Sequence, residues 1–202
     1  MGQPPVEVVN ATTSVVSDAR GDIETTGTEP LGLFEADTRF LSRWVLSIDG
    51  QRPTLLSNDV PRYFEAEFLL VPEEAAGGSR LRVTRNRTLS QGLRETVLLS
   101  HQGDTPVEVT VRVDADADFA VRSEAGGAPA HHGIAYRRIE RDTLILGLDG
   151  DGSHRQTAIS ASAPAELDQN GLTFRVHLEP RRDWSVELLV SLADGTASAA
   201  RR

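Results

Sequence analysis

Chemistry in this 202-residue chain would have to come from a short list of side chains. Glu65 and Glu67 stand two positions apart. On an extended strand that step separates their carboxyls by roughly 7 Å. The gap suits the acid and base of glycoside hydrolysis, and equally suits two solvated carboxylates on one strand face. Asp114, Asp116 and Asp118 share a parity and offer hard oxygens of the kind calcium takes. Calcium loops curl around the ion, whereas a strand holds its carboxylates in a row, so pairing with nearby arginines or plain solvation is the expectation. His131 and His132 are adjacent, and His101, His154 and His177 are scattered, without the spacing of a zinc site. The run Glu35-Ala36-Asp37-Thr38-Arg39, followed by Arg43, sets an acceptor, a hydroxyl and forked donors at the entrance of a strand. Such a group can pin a chain entry through bonds to the backbone, or hold a polar partner such as a sugar. No Gly-rich phosphate loop, Gly-x-Ser-x-Gly elbow or cysteine nucleophile occurs. The expectation is no catalytic residue, no metal ligand and no cofactor, with Asp37, Thr38, Arg39 and Arg43 as candidate substrate- or domain-contact residues.

The elements that must position these groups read as strands. Phe40, Ser42, Trp44, Leu46 and Ile48 alternate along one predicted strand closed by the Asp49-Gly50 turn, and Thr54 to Leu56 return beyond it. Val6–Val9 and Ser14–Ser17 suggest an opening hairpin. Tyr63 to Val71, bounded by Pro61 and Pro72, reads as a strand. Leu81 to Leu89 alternates and pairs back through Gln91-Gly92 with Leu93 to Ser100. Val107, Val109, Val111 and Val113 form the cleanest apolar row, opposite Glu108, Thr110, Arg112 and Asp114. Short strands follow at Ile134–Ile139, Thr143–Leu148, Gln156–Ala161, Leu172–Leu178 and Trp184–Leu192, separated by Asp/Gly and Asn-Gly turns. No amphipathic helix of ordinary length is evident. The predicted fold is all-β: an antiparallel two-sheet sandwich over residues 1–192, with 193–202 as a tail or linker. Trp44 and Trp184 sit at core parity, while Tyr63 and Tyr136 lie nearer loop ends and could form an exposed platform.

Composition narrows the function. Every basic side chain is arginine, and the net charge is −9. That balance disfavours nucleic acid and anionic membrane surfaces. Without cysteine there are no disulfides and no thiolate ligands. The first residues lack the basic and apolar regions of a secretory signal, and no window approaches the roughly 18 apolar residues of a membrane span. A cytoplasmic location is expected.

The stretch Gly32-Leu33-Phe34, Asp37-Thr38-Arg39-Phe40-Leu41-Ser42, Asp49-Gly50 and Leu55-Leu56-Ser57 closely resembles the N-terminal domain of glycogen-debranching-type, amylo-α-1,6-glucosidase-like enzymes. The resemblance extends through the opening hairpin, an Arg-x-Arg strand at Arg85 and Arg87, a glutamate at Glu95, and Asp116-Ala117-Asp118-Phe119-Ala120. After Ala120 the chain departs from the family pattern. The resemblance implies a supersandwich-like, non-catalytic domain that precedes a helical toroid carrying the acid and base for α-1,6-glucosidic cleavage. Its implied partner is that helical glycosidase domain, in cis or as a separate chain, with α-glucan a candidate at the rim of the cleft. A stand-alone carbohydrate-binding or interaction module is the alternative.

Overall fold

The computed structural model describes residues 3–25, 30–72, 80–122, 133–150 and 153–196. Their strands, in chain order, are β1 (Val6–Asn10), β2 (Thr13–Ser17), β3 (Ile23–Glu24), β4 (Gly32–Glu35), β5 (Thr38–Leu41), β6 (Arg43–Ile48), β7 (Thr54–Arg62), β8 (Glu65–Val71) and β9 (Leu81–Ser90). Then come β10 (Gly92–His101), β11 (Val107–Asp116), β12 (Ile134–Glu140), β13 (Thr143–Gly150), β14 (Ser153–Ala161), β15 (Glu166–Asp168), β16 (Gly171–Leu178) and β17 (Asp183–Thr196). The antiparallel all-β architecture matches the sequence reading.

One layer is an eight-stranded sheet ordered β12-β13-β14-β17-β10-β9-β8-β7. The facing layer is divided between a five-stranded sheet, β15-β16-β11-β6-β3, and a four-stranded one, β1-β2-β4-β5. Strict alternation builds the core. Val109, Val111 and Val113 of β11 are buried opposite Val176, Phe174 and Leu172 of β16, in one core with Val97, Leu99, Val186 and Leu188 of the large sheet. Area bookkeeping at about 25 cal/mol per Å² makes such rows the main source of stability. Trp44 is fully buried, and Trp184 is half-buried with its ring 5.5 Å from that of Phe174.

The predicted strand from Phe40 to Ile48 is two strands in two sheets. The backbone bends at Ser42, whose N–H donates to Asp116 O at 2.9 Å, so β5 closes the four-stranded sheet while β6 enters the five-stranded one. Phe40, Leu41, Trp44 and Val45 are all buried. Both faces are therefore covered, which alternation alone does not signal. Thr54 to Leu56 does not return beside β6; it opens β7, the edge of the large sheet. Pro61 lies inside that edge strand, where a missing N–H costs least, and β8 begins at Glu65. β17 continues to Thr196 on β14, four residues past the predicted boundary at 192. His131 and His132 lie outside the described residues. Among the described residues, no helix is long and apolar enough to cross a membrane.

Candidate functional site

Two polar constructions organise the domain. The first is inside it. Along β9 the inward row runs Leu81, Val83, Arg85, Arg87, Leu89, so the pleat that buries three aliphatic chains buries two guanidinium groups as well. Glu95 of β10 stands directly across from Arg87. Its Oε2 accepts from Arg87 Nε at 2.8 Å and Nη2 at 2.6 Å, and its Oε1 accepts from Arg85 Nε at 3.0 Å. Trp44 reaches across from the other layer and donates Nε1–H to the same Oε1 at 3.1 Å. Arg85 Nη1 continues to Asp22 Oδ1 at 2.6 Å, and Asp22 also accepts the Leu46 N–H at 3.2 Å. The turn before β3 contributes carbonyls: Arg85 donates to Arg20 O at 3.0 Å and Arg87 to Gly21 O at 2.6 Å.

Two cations thus meet two carboxylates, and the charge closes on itself between the layers. Both guanidinium groups also lie over the Phe68 ring, with Cζ 6.0 Å (Arg85) and 5.3 Å (Arg87) from its centroid. Gly21 lets that ring approach. Its φ is +84°, and a Cβ there would meet Phe68 carbons at 2.9 Å. Burial works against the charge on Glu95, but Arg85 and Arg87 hold its carboxyl below the ordinary range. Asp22 goes the other way: burial pushes it up and Arg85 pulls it only part of the way back. A glutamate saturated by four donors and shut from solvent is an acceptor with nothing left to accept. It cannot serve as a general acid, and no substrate reaches it.

The second construction is the predicted knot. Ala36 and Asp37 form the β4–β5 turn, with Ala36 at φ 50° and its N–H donated to Thr12 O at 2.8 Å. Thr38 bridges to Val121, Arg39 N–H donates to Ala120 O at 2.9 Å, and Arg122 N–H donates to Asp37 O at 2.7 Å. The side chain of Arg39 is buried. It clasps Asp118 with Nε at 3.0 Å and with Nη2, and Nη1 donates to Leu31 O at 3.2 Å. Gly32 makes room for it, because a Cβ there would sit 2.5 Å from Arg39 Cδ. The Asp-Thr-Arg and Asp-Ala-Asp-Phe-Ala motifs, far apart in sequence, are therefore one structure. Phe119, at φ 53°, sets its ring edge-on to Phe40 at 5.6 Å.

Of the four candidate contact residues, the fold brings Asp37, Thr38 and Arg39 together and sends Arg43 elsewhere. Arg43 belongs to a half-exposed network with Glu24 and Asp114, the latter at 3.3 Å. Arg52 reaches Glu24 at 2.6 Å and Arg112 reaches Asp114 at 2.7 Å. Burial opposes the Glu24 charge, yet Arg52 and Arg43 hold that carboxyl below its ordinary range. Asp37 is exposed. The aspartate row is arginine-paired throughout, Asp116 to Arg137 at 2.6 Å included. Glu65 is held by Arg62 at 2.9 Å on the outer face, with Glu67 exposed beside it. Among the described residues no cluster of His, Asp and Glu is arranged to hold a metal ion.

The buried Arg85–Glu95–Arg87–Asp22 set carried no assigned role in the sequence reading. Its signal was present: charged residues at the inward parity of an otherwise aliphatic row.

A family model described as the N-terminal domain of (some) glycogen debranching enzymes matches residues 8–189. No curated protein sequence matches the chain. Among solved structures, one similar chain is a putative kojibiose phosphorylase from the human microbiome, with TM-score 0.66 and 8% identity, covering 96% of this chain and 30% of that one. A polysaccharide lyase aligns with TM-score 0.42 and 12% identity over 96% of this chain and 33% of its own. A GalM/aldose epimerase homologue from C. elegans aligns with TM-score 0.44 and 10% identity over 94% and 98%. The first likeness is one of fold, and the chain spans about a third of that phosphorylase's length.

Proposed function

The chain belongs to the family of N-terminal domains of glycogen debranching enzymes, and from that premise we propose that it is a non-catalytic β-sandwich that supports a helical glycosidase domain and helps shape the rim of its α-glucan cleft. The observation that carries this reading is the state of the internal acids. Glu95 and Asp22, the two carboxylates shut inside the described protein, are spent on Arg85, Arg87, the Trp44 indole N–H and the Leu46 backbone N–H. Glycoside hydrolysis needs one carboxyl protonated and a second facing it across a sugar. A charged core locked between two layers gives instead a stiff scaffold with a fixed outline.

Within that scaffold the Ala36–Asp37 turn is the proposed contact point. Asp37 is exposed while the neighbouring Arg39 is committed to Asp118, so the turn is held firmly with its acidic side chain free to face a partner. Turns displayed on rigid elements are where contact function concentrates. Arg43, engaged with Glu24 and Asp114, would contribute as part of a charged surface. The lack of cysteine fits a cytoplasmic setting.

The test is reconstitution. A helical glycosidase domain of the family would be assayed on limit dextrin alone, with this chain, and with the Asp37→Ala chain. The reading expects this chain to raise activity and Asp37→Ala to reduce that gain. If the glycosidase domain is equally active without this chain, the supporting role is wrong.

A further inference from the structure

A flat aromatic surface lies on the outer face of the large sheet, away from both constructions above. Leu144 and Leu146 of β13 point into the core, so the opposite parity of β12, β13 and β14 faces outward. In one row across that face stand Tyr136, Gly147 and Gln156, and in the next Ile134, Asp149 and His154. Tyr136 lies across Gly147: a Cβ there would fall 2.1 Å from Tyr136 Cζ and 2.5 Å from Cε1. Only a glycine lets the ring lie down on the sheet, and its hydroxyl then reaches Gln156 Oε1 at 3.5 Å. The His154 ring is 19° from parallel to it, with centroids 6.2 Å apart. Asp149 holds His154 Nδ1, and Arg138, paired through Nε with Glu140 at 2.9 Å, lies over the Tyr136 ring with Cζ 5.2 Å from its centroid. Ile134, at 76% exposure, extends the surface.

We propose that this Tyr136–His154 plate is a carbohydrate-binding subsite that takes a pyranose of a neutral glucan chain. Its electron-rich ring face would meet the C–H face of the sugar. Asp149, Gln156 and Arg138 stand around it as acceptor, mixed amide and forked donor for equatorial hydroxyls. Covering a bare glycine is a sheet-stabilising role that Tyr136 also fills, but that role requires neither the flanking histidine nor the ring of polar planar groups. The choice of α-glucan as probe rests on the family reading; the plate does not, and the experiment reads binding without any catalytic partner.

Amide spectra of the labelled chain would be followed during titration with maltoheptaose and, separately, cellohexaose, to concentrations on the order of 10 mM, since single-plate sites hold sugars weakly. Saturable shifts centred on Tyr136, Gly147, His154 and Gln156 with maltoheptaose are expected. Tyr136→Ala should weaken binding about tenfold and Tyr136→Phe by less than about twofold. Shifts with cellohexaose alone would overturn the α-glucan assignment. No shifts with either sugar, or shifts centred elsewhere, would overturn the plate. The wild-type map decides this even if Tyr136→Ala fails to fold.

Discussion

Arg87 grips Glu95 through both Nε and Nη2, at 2.8 and 2.6 Å, in a place where neither side chain meets solvent. Removing one member of such a pair leaves a buried charge without its partner. Glu95→Gln should therefore lower the unfolding free energy by about 3–5 kcal/mol, read as a shift in the urea midpoint. A loss below about 1 kcal/mol would mean that Arg85 and Arg87 find other partners or water.

Asp22→Asn should cost distinctly less. Asp22 meets Arg85 alone among the arginines, and burial already raises its carboxyl above the ordinary range. An amide keeps an oxygen for Arg85 and for the Leu46 N–H, so a loss of about 1–3 kcal/mol is expected in the same urea experiment. A cost equal to that of Glu95→Gln would contradict this ranking.

The two carboxylates also give opposite dependences on pH. Burial opposes the Glu95 charge, but Arg85 and Arg87 win and hold the folded value below the ordinary carboxylate range. Its stabilisation is complete above the unfolded value and is lost as pH falls through the folded one. Asp22, raised by burial, contributes stability that is complete below its unfolded value and is lost as pH rises through the folded value. Urea midpoints followed from about pH 7 down to about pH 3 should fall for the wild type and fall less steeply for Glu95→Gln. Equal slopes would show that other acids govern the acid limb.

Gly32 and Arg39 should behave as one unit. Gly32→Ala places a Cβ 2.5 Å from Arg39 Cδ and pushes the guanidinium off Asp118. Arg39→Ala removes the same clasp and should cost about 1.5–3 kcal/mol, the worth of charged hydrogen bonds in a site that is not fully closed. The double variant should cost little more than the larger single one. Additive losses, measured by thermal or urea unfolding, would contradict the shared mechanism.

Much of this was legible from the residues. The hairpin across Gln91-Gly92, the valine row of β11 and the separate short strands of the second half follow from period-two patterning, and each is where alternation placed it. The bend at Ser42 was not legible, because Phe40 to Ile48 alternates cleanly on both sides of it. What divides the strand is a change of distant partner, from Leu33 opposite Leu41 to Asp116 opposite Arg43. Arg39 illustrates the same limit at the site. Its type and spacing suit a contact residue, and only the approach of Asp118 from 79 positions away makes it an internal clasp. Arg85 and Arg87 announced themselves by parity, but which acids neutralise them depends on a turn and a strand that local sequence does not connect.

The claim beneath all of this is that the sandwich holds shape and breaks no bonds. Glucose release from limit dextrin by the purified chain tests it most directly. The expected result is no release above the buffer blank, for the wild type and for Glu65→Gln alike. Turnover by the chain alone that disappears in Glu65→Gln would contradict the account.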